Sequence, residues 1–402
     1  MKKISILFAV AALVAGAACS KVETVGTADN NGKISFQVAN YANQTKANDE
    51  TSLASEGFYQ FNTTAIFFPA EGDVQTFMDK VAIFPWDNAA TPAKVTQGNG
   101  IYSWAPERDY FWPKTGYINF YSYAGTKAPA QTISTDNKTV TFAYSDVEIA
   151  ADDNLLVADA ALHFNANQKK YKKDNVSEGV PTLFRHLLAQ VKFTVKLKTA
   201  ETNKSASTIW KVTILNETTG TNPKVSAIDF AKQGTLSLAN ADALDADATL
   251  NTTLQAWTPT GWTPKANATA ETVKIMTAAT TPAEIVMTLP VNTAEIDAVP
   301  VAYADFRSVM PQATNGVNFN LYYKIEAQRP GETTPFMTEI LSVTGKTLKD
   351  LVSSIENWQM NHRYTYNIII DPVGKKVLFD PAVEAWNTDN ANTAAINIPL
   401  TQ

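Results

Sequence analysis

From residue 33 onward this chain repeats with a period of two, and that constrains its fold more than any other feature. Ile34, Phe36 and Val38 alternate with polar residues, as do Val191, Phe193, Val195 and Leu197. Val212 and Ile214 follow the same rule, and Val317, Phe319, Leu321, Tyr323 and Ile325 extend it furthest. Successive side chains of a strand point to opposite faces, so these runs read as strands with one face in a core and one in water. The runs are rich in Thr, Val, Ile and aromatics, and Asn, Asp, Gly and Pro separate them. Only the stretch 348–355 looks like a short amphipathic helix. Many short strands with turn signals between them predict an all-β protein of antiparallel β-sandwiches.

The chain has 402 residues, enough for about two domains once an export signal is set aside. The polar stretch 165–179 reads as an exposed loop, and a strand-like run resumes at Thr182. The expected division is therefore 1–18 signal peptide, 19–181 N-terminal domain and 182–402 C-terminal domain. The stretches 239–253 and 258–270 read as long loops within the second half. Hydrophobic residues make up 45% of the chain and charged residues 18%, which excludes a disordered protein. Net charge is −6, and only five of the 33 basic residues are Arg. A nucleic-acid binder needs a basic face, so that partner class is excluded.

Residues 1–19 carry a second strong signal. Lys2 and Lys3 precede an apolar run, and Ala15-Gly16-Ala17-Ala18 leads into Cys19. This is the layout of a secretory signal, too short to span a membrane stably. Cys19 is the only cysteine. It stands where a lipoprotein signal peptidase would expose it for acylation, although Gly16 occupies the position where Leu is usual. The plainer reading is ordinary cleavage and an incidental thiol. Acylation is the expectation, because lone exported thiols are rare.

A search for chemistry finds little. His163, His186 and His362 are the only histidines, and none has metal-ligand spacing. There is no phosphate loop and no G-x-S-x-G elbow. Asp152-Asp153 reads as a solvated loop, and His186 as a structural histidine. The expectation is no enzyme, no metal and no cofactor. The aromatics say more: Trp104, Tyr110, Phe111, Trp112, Tyr117, Phe120, Tyr121 and Tyr123 crowd together. One reading is a stacking platform for sugar rings. The other puts Ile118 and Phe120 in a core, with Tyr117, Tyr121 and Tyr123 on the opposite face.

Several segments resemble those of one family. Tyr110-Phe111-Trp112-Pro113 followed by Ile118-Asn119-Phe120-Tyr121-Ser122-Tyr123 is similar to the "yyWP … fyaY" signature of fimbrillins, the subunits of type V pili in Bacteroides-type bacteria. Asp153-Asn154-Leu155-Leu156-Val157-Ala158 resembles "DLLvA", with Asn154 as an insertion. Leu183-Phe184-Arg185-His186-Leu187-Leu188-Ala189-Gln190-Val191-Lys192-Phe193-Thr194-Val195 resembles "LxFxHalakVxfxV". Tyr364-Thr365-Tyr366-Asn367-Ile368-Ile369-Ile370, Phe379 and Val383-Glu384-Ala385-Trp386 resemble the closing "YxYxixi … F … vxxW". The matches keep family order and leave a gap around 200–340.

The resemblance implies two tandem transthyretin-like β-sandwich domains after a lipoprotein signal. It further implies a surface pilus subunit with no catalysis, whose partners are other copies of itself or related subunits and whose precursor is anchored to the outer membrane by lipid. Assembly would follow proteolytic removal of an N-terminal strand, a foreign strand then completing the open core. Lys46-Ala47 resembles the family's "T-R-A" processing segment, with Lys in place of Arg; an uncut linker is the alternative. The removable strand would be 33–39, with Ile34, Phe36 and Val38 facing the core. Ile396, Ile398 and Leu400 alternate again near the C-terminus, as a donor strand or as a last strand of their own domain; Pro399 restricts the segment to an edge. A monomeric lipoprotein that binds glycans through Trp104 or Trp112 is the competing function.

Overall fold

A computed structural model describes residues 32–40, 57–87, 89–96, 103–164, 179–198, 208–217, 221–239, 253–255, 258–259, 261–266, 270–274, 283–288, 295–297, 306–386 and 396–397. The protein is all-β, a stack of mostly antiparallel sheets of the β-sandwich kind. The 348–355 stretch contributes one helical turn, Leu348–Leu351. Thr347 caps it, in a capping box with Asp350.

Ten strands build the first unit: β1 (Phe36–Asn40), β2 (Phe61–Phe68), β3 (Gln75–Trp86), β4 (Ser103–Pro106), β5 (Tyr117–Gly125), β6 (Ala130–Ile133), β7 (Val140–Glu148), β8 (Leu155–Ala158), β9 (Ala160–Phe164) and β10 (Val180–His186). Along the main sheet the order is β9-β5-β2-β3-β4-β1-β10-β8, the short strand Thr253–Gln255 pairs onto β9 at one end, and β8 pairs back onto β5. Closure runs through three pairs, Tyr123 with Val157, Ala124 with Leu156 and Gly125 with Leu155. The sheet thus rolls over on itself, and Phe36, Phe61, Trp104, Phe120 and Phe184 fill its interior. Arg185 forks onto buried Asp159 at the bend between β8 and β9, with both contacts at 2.8 Å.

The outside of this sheet is covered as well. Strands β6, β7 and Gln233–Ala239 form a second layer, to which the short strands Thr258–Pro259 and Thr263–Pro264 pair. Between the layers lie Tyr121, Tyr123, Phe142, Tyr144, Leu236 and Leu238. Tyr121 and Tyr123, on the face opposite Ile118 and Phe120, are therefore core residues as well, because β5 is covered on both faces. The stretch 258–270, expected as loop, supplies those two short strands, which extend a sheet too short to cover the roll alone.

A second core lies between two further sheets. In one, β11 (Ala189–Lys198) runs parallel to His362–Asp371, which forms a hairpin with Lys376–Ala385. In the other, Asn318–Gln328 lies between Met337–Thr347 and the pair β12 (Ile209–Ile214) and Ala227–Phe230. Val191, Phe193, Val195, Leu197, Val212, Ile214 and the alternating set from Val317 to Ile325 all face this core. The expected division at 181 falls inside β10, whose residues pair with β1 and β8. The chain passes from one core to the next at Leu187 and Leu188, which pack between the layers. Gln233–Ala239, from beyond that line, pairs with β7 of the first unit.

Candidate functional site

β1 is a stave of the rolled sheet, with neighbours on both sides. Five consecutive residues pair in parallel with β10, from Phe36 opposite Val180 to Asn40 opposite Phe184. On its other side the described contacts run to β4 and to the segment 110–112. Phe36 pairs with Trp104 of β4, and Lys33 bridges to Phe111. The Ile34 N–H donates to the Tyr110 carbonyl at 2.7 Å, and the Trp112 N–H donates to the Gly32 carbonyl at 2.9 Å.

Ile34, Phe36 and Val38 are 2%, 3% and 1% exposed, so this strand is core and not a surface decoration. The Phe36 ring meets the edges of Phe61 and Phe120 at 5.5 and 5.6 Å. Burying three such side chains stabilises the subunit by roughly 5–9 kcal/mol before ordering costs. A surface ion pair, Lys33 to Asp109 at 2.8 Å, adds little.

Two residues that alternation alone does not reveal shape the slot. Gly179 has φ +93°, and a Cβ there would lie 2.9 Å from the Ser35 carbonyl carbon and oxygen. Only glycine lets the start of β10 come this close to β1. Next, the Val180 N–H donates to the Ser35 carbonyl at 2.7 Å. The alternation of a strand then turns Pro181 away from β1, toward β8. Pairing with β8 begins only at Phe184, so the missing N–H of Pro181 removes no ladder bond. The Gly-Val-Pro sequence at 179–181 was the signal available for this join.

The other expected site residues are spread out. Cys19, Lys46, Ala47, Ile398 and Leu400 lie outside the described residues. Ile396 and Asn397 pair through the backbone with Val383 and Ala382, at the end of the sheet that contains β11 and the hairpin of His362–Asp371 with Lys376–Ala385. Trp104 and Trp112 are 1% and 8% exposed, so neither offers a face to a sugar; the aromatic cluster is core, and Phe111 alone among its members stands out at 52%. Asp153 corrects an expectation. It is buried, accepts hydrogen bonds from the Ala150 N–H at 2.7 Å and Thr126 at 2.9 Å, and pairs with Lys127. Asp152-Asp153 lies in a loop, as expected, but that loop turns Asp153 inward instead of into water. Burial alone would raise the Asp153 pKa, but these donors outweigh it and hold the carboxyl below the ordinary value. His186 is structural. Its ring stacks on Trp386 at 4.0 Å, and Nδ1 lies 2.7 Å from the Asn154 side-chain oxygen.

A family model described as fimbrillin-like matches residues 70–386. The chain belongs to the fimbrillin-like family. Membership supports a pilus-subunit role in adhesion at the cell surface. Among solved structures, this fimbrillin-like protein is similar to a fimbrial protein from Bacteroides vulgatus ATCC 8482. The match has 15% identity and a TM-score of 0.43, covering 88% of this chain and 99% of that one. It is also similar to a protein assigned to cell adhesion from Bacteroides uniformis ATCC 8492. There the identity is 13% and the TM-score 0.37, covering 89% and 99%. No curated protein matches it.

Proposed function

We propose that this protein is a structural subunit of a cell-surface pilus that assembles by strand exchange once its first strand has been removed. The observation that carries this reading is β1 itself. Its inward residues Ile34, Phe36 and Val38 are buried, and it is joined to the rest of the unit through the polar stretch 41–56, which contains Lys46-Ala47. Cutting there would free β1 from everything but its hydrogen bonds and side-chain packing. Its loss would leave edge groups on β4 and β10 unpaired and the faces of Phe61, Phe120 and Phe184 uncovered, which a foreign strand can satisfy.

In this reading Cys19 carries the lipid that holds the precursor on the outer membrane, and β1 plugs the slot until processing. The donor is the C-terminal segment with Ile396, Ile398 and Leu400, from a second copy or a related subunit. Its only described pairing in its own subunit is two residues at an edge. The two units correspond to the tandem transthyretin-like sandwiches of the family, with the border after His186.

N-terminal sequencing of the protein recovered from cells tests processing directly. A start at Ala47, together with loss of filaments in Lys46→Gln, is expected. A start at Cys19 with a Lys46→Gln variant that still polymerises would overturn the assignment. Cys19→Ser is expected to abolish lipid labelling and membrane retention while the fold persists. Unchanged membrane fractionation would remove the anchor.

A further inference from the structure

The hydrogen-bond pattern around β1 also specifies a direction. We infer that the C-terminal segment of a second copy enters this slot reversed relative to β1, antiparallel to β10, and that Pro399 selects that direction. The inference rests on the strand-exchange reading above and adds the orientation of the joint.

Along β1 the inward residues turn their backbone polar groups toward the β4 side. Ile34 donates to Tyr110, and Phe36 pairs with Trp104. The outward residues turn theirs toward β10: the Ser35 carbonyl accepts from Val180, and alternation gives Gln37 the same orientation. In an L-peptide strand, the face a side chain takes and the side its N–H takes are locked together for a given chain direction. Reversing the strand while keeping its apolar face inward therefore swaps the two sides.

The donor candidate has Ile396, Ile398 and Leu400 on one face, which places Asn397 and Pro399 outward. Inserted in the direction of β1, with Ile396 at position 34, it would put Pro399 at position 37. There the absent N–H removes a bond from the five-residue ladder with β10. Inserted in reverse, with Leu400 at position 34, it puts Pro399 at position 35, turned toward the β4 side. Among the described residues that side of β1 has one strand pair and one bridge, against five pairs with β10, so a proline turned that way spares the longer ladder. The reversed strand also makes an antiparallel ladder with β10, the somewhat more stable arrangement.

Phe111 provides the test. It is 52% exposed and bridged to Lys33, so a cysteine at 111 reports whatever occupies position 33. Reversed insertion brings Thr401 there; same-direction insertion brings Ala395. The full exported chain with Cys19→Ser and Phe111→Cys, and a specific protease site placed at 44–49, is cleaved and allowed to assemble with subunits carrying Thr401→Cys or Ala395→Cys. The same cysteines on a peptide of residues 391–402 form a parallel arm.

The expected result is a disulfide at 111–401 about fivefold to tenfold more abundant than at 111–395, the preference that one lost backbone hydrogen bond gives. Pro399→Ala is expected to shrink that ratio severalfold. A dominant 111–395 link would overturn the direction while leaving strand exchange standing. An unchanged ratio in Pro399→Ala would overturn the role of the proline. No link from either cysteine, in subunits or peptide, would overturn both the donor assignment and the inference.

Discussion

Gly179 and Asp153 each hold a join that no hydrophobic count would single out. A Cβ at 179 would meet β1 backbone at 2.9 Å in a left-handed conformation, so Gly179→Ala is expected to cost about 1–3 kcal/mol. Denaturant unfolding measures this, and limited proteolysis should show β1 exposed first. Wild-type stability in Gly179→Ala would mean that the close approach is absent. Asp153 titrates below its ordinary value in the folded state. A depressed carboxylate contributes stability that is fully present above the unfolded pKa, about 3.9, and is lost as pH falls through the folded value. Asp153→Asn should therefore lower stability by about 1–3 kcal/mol at pH 7. Unfolding curves for the variant and wild type should converge below about pH 4; a gap that stays constant down to pH 3 would contradict the assignment. Sequence adjacency to Asp152 suggested a solvated pair, because a reading by periodicity has no term for a turn that folds a carboxylate onto a lysine 26 residues away.

At the scale of single strands, β1 and the C-terminal segment carry the argument. Phe36→Ala removes a ring packed between Phe61 and Phe120 and is expected to destabilise the precursor by about 3–5 kcal/mol. Under the proposed strand exchange the same change should matter little to assembled subunits, which would have lost β1; equal loss in precursor and filament would argue against exchange. Deleting 391–402 is expected to leave a folded monomer that cannot extend a filament. Unfolding of the truncated chain would identify the segment as an internal strand. The alternation of Ile34, Phe36 and Val38 made the buried face of β1 legible from the sequence. Its neighbours were not legible. The pairing with β10 joins residues 36 and 180, and nothing local to either segment encodes that choice. The same limit hid the covering of β5. Its two faces, Ile118 with Phe120 and Tyr121 with Tyr123, were separable by period. That both are buried depends on a layer supplied in part by residues 233–239.

Across the whole molecule, the two cores are tied through a third set of contacts. Trp386 stacks on His186 and packs between the layers with Leu187, Leu188, Met310 and Trp262. The Trp262 indole N–H donates to the Leu187 carbonyl at 2.8 Å. Trp386→Ala is expected to cost about 3–5 kcal/mol and to split a single calorimetric transition into two. One unchanged transition would show that the units unfold together for another reason. The roll of the first sheet sets a further condition, on time. A strand at an open edge can fray and re-form within microseconds, so its loss keeps no record of events outside the molecule. A strand between two neighbours in a closed circuit departs only when both seams part together, a rare excursion for a folded domain. Under the proposed strand exchange, a cut in the connecting segment would then work as the molecule's clock. The precursor would stay inert for as long as the chain is whole, and growth of the filament would begin when an enzyme, rather than thermal motion, starts it.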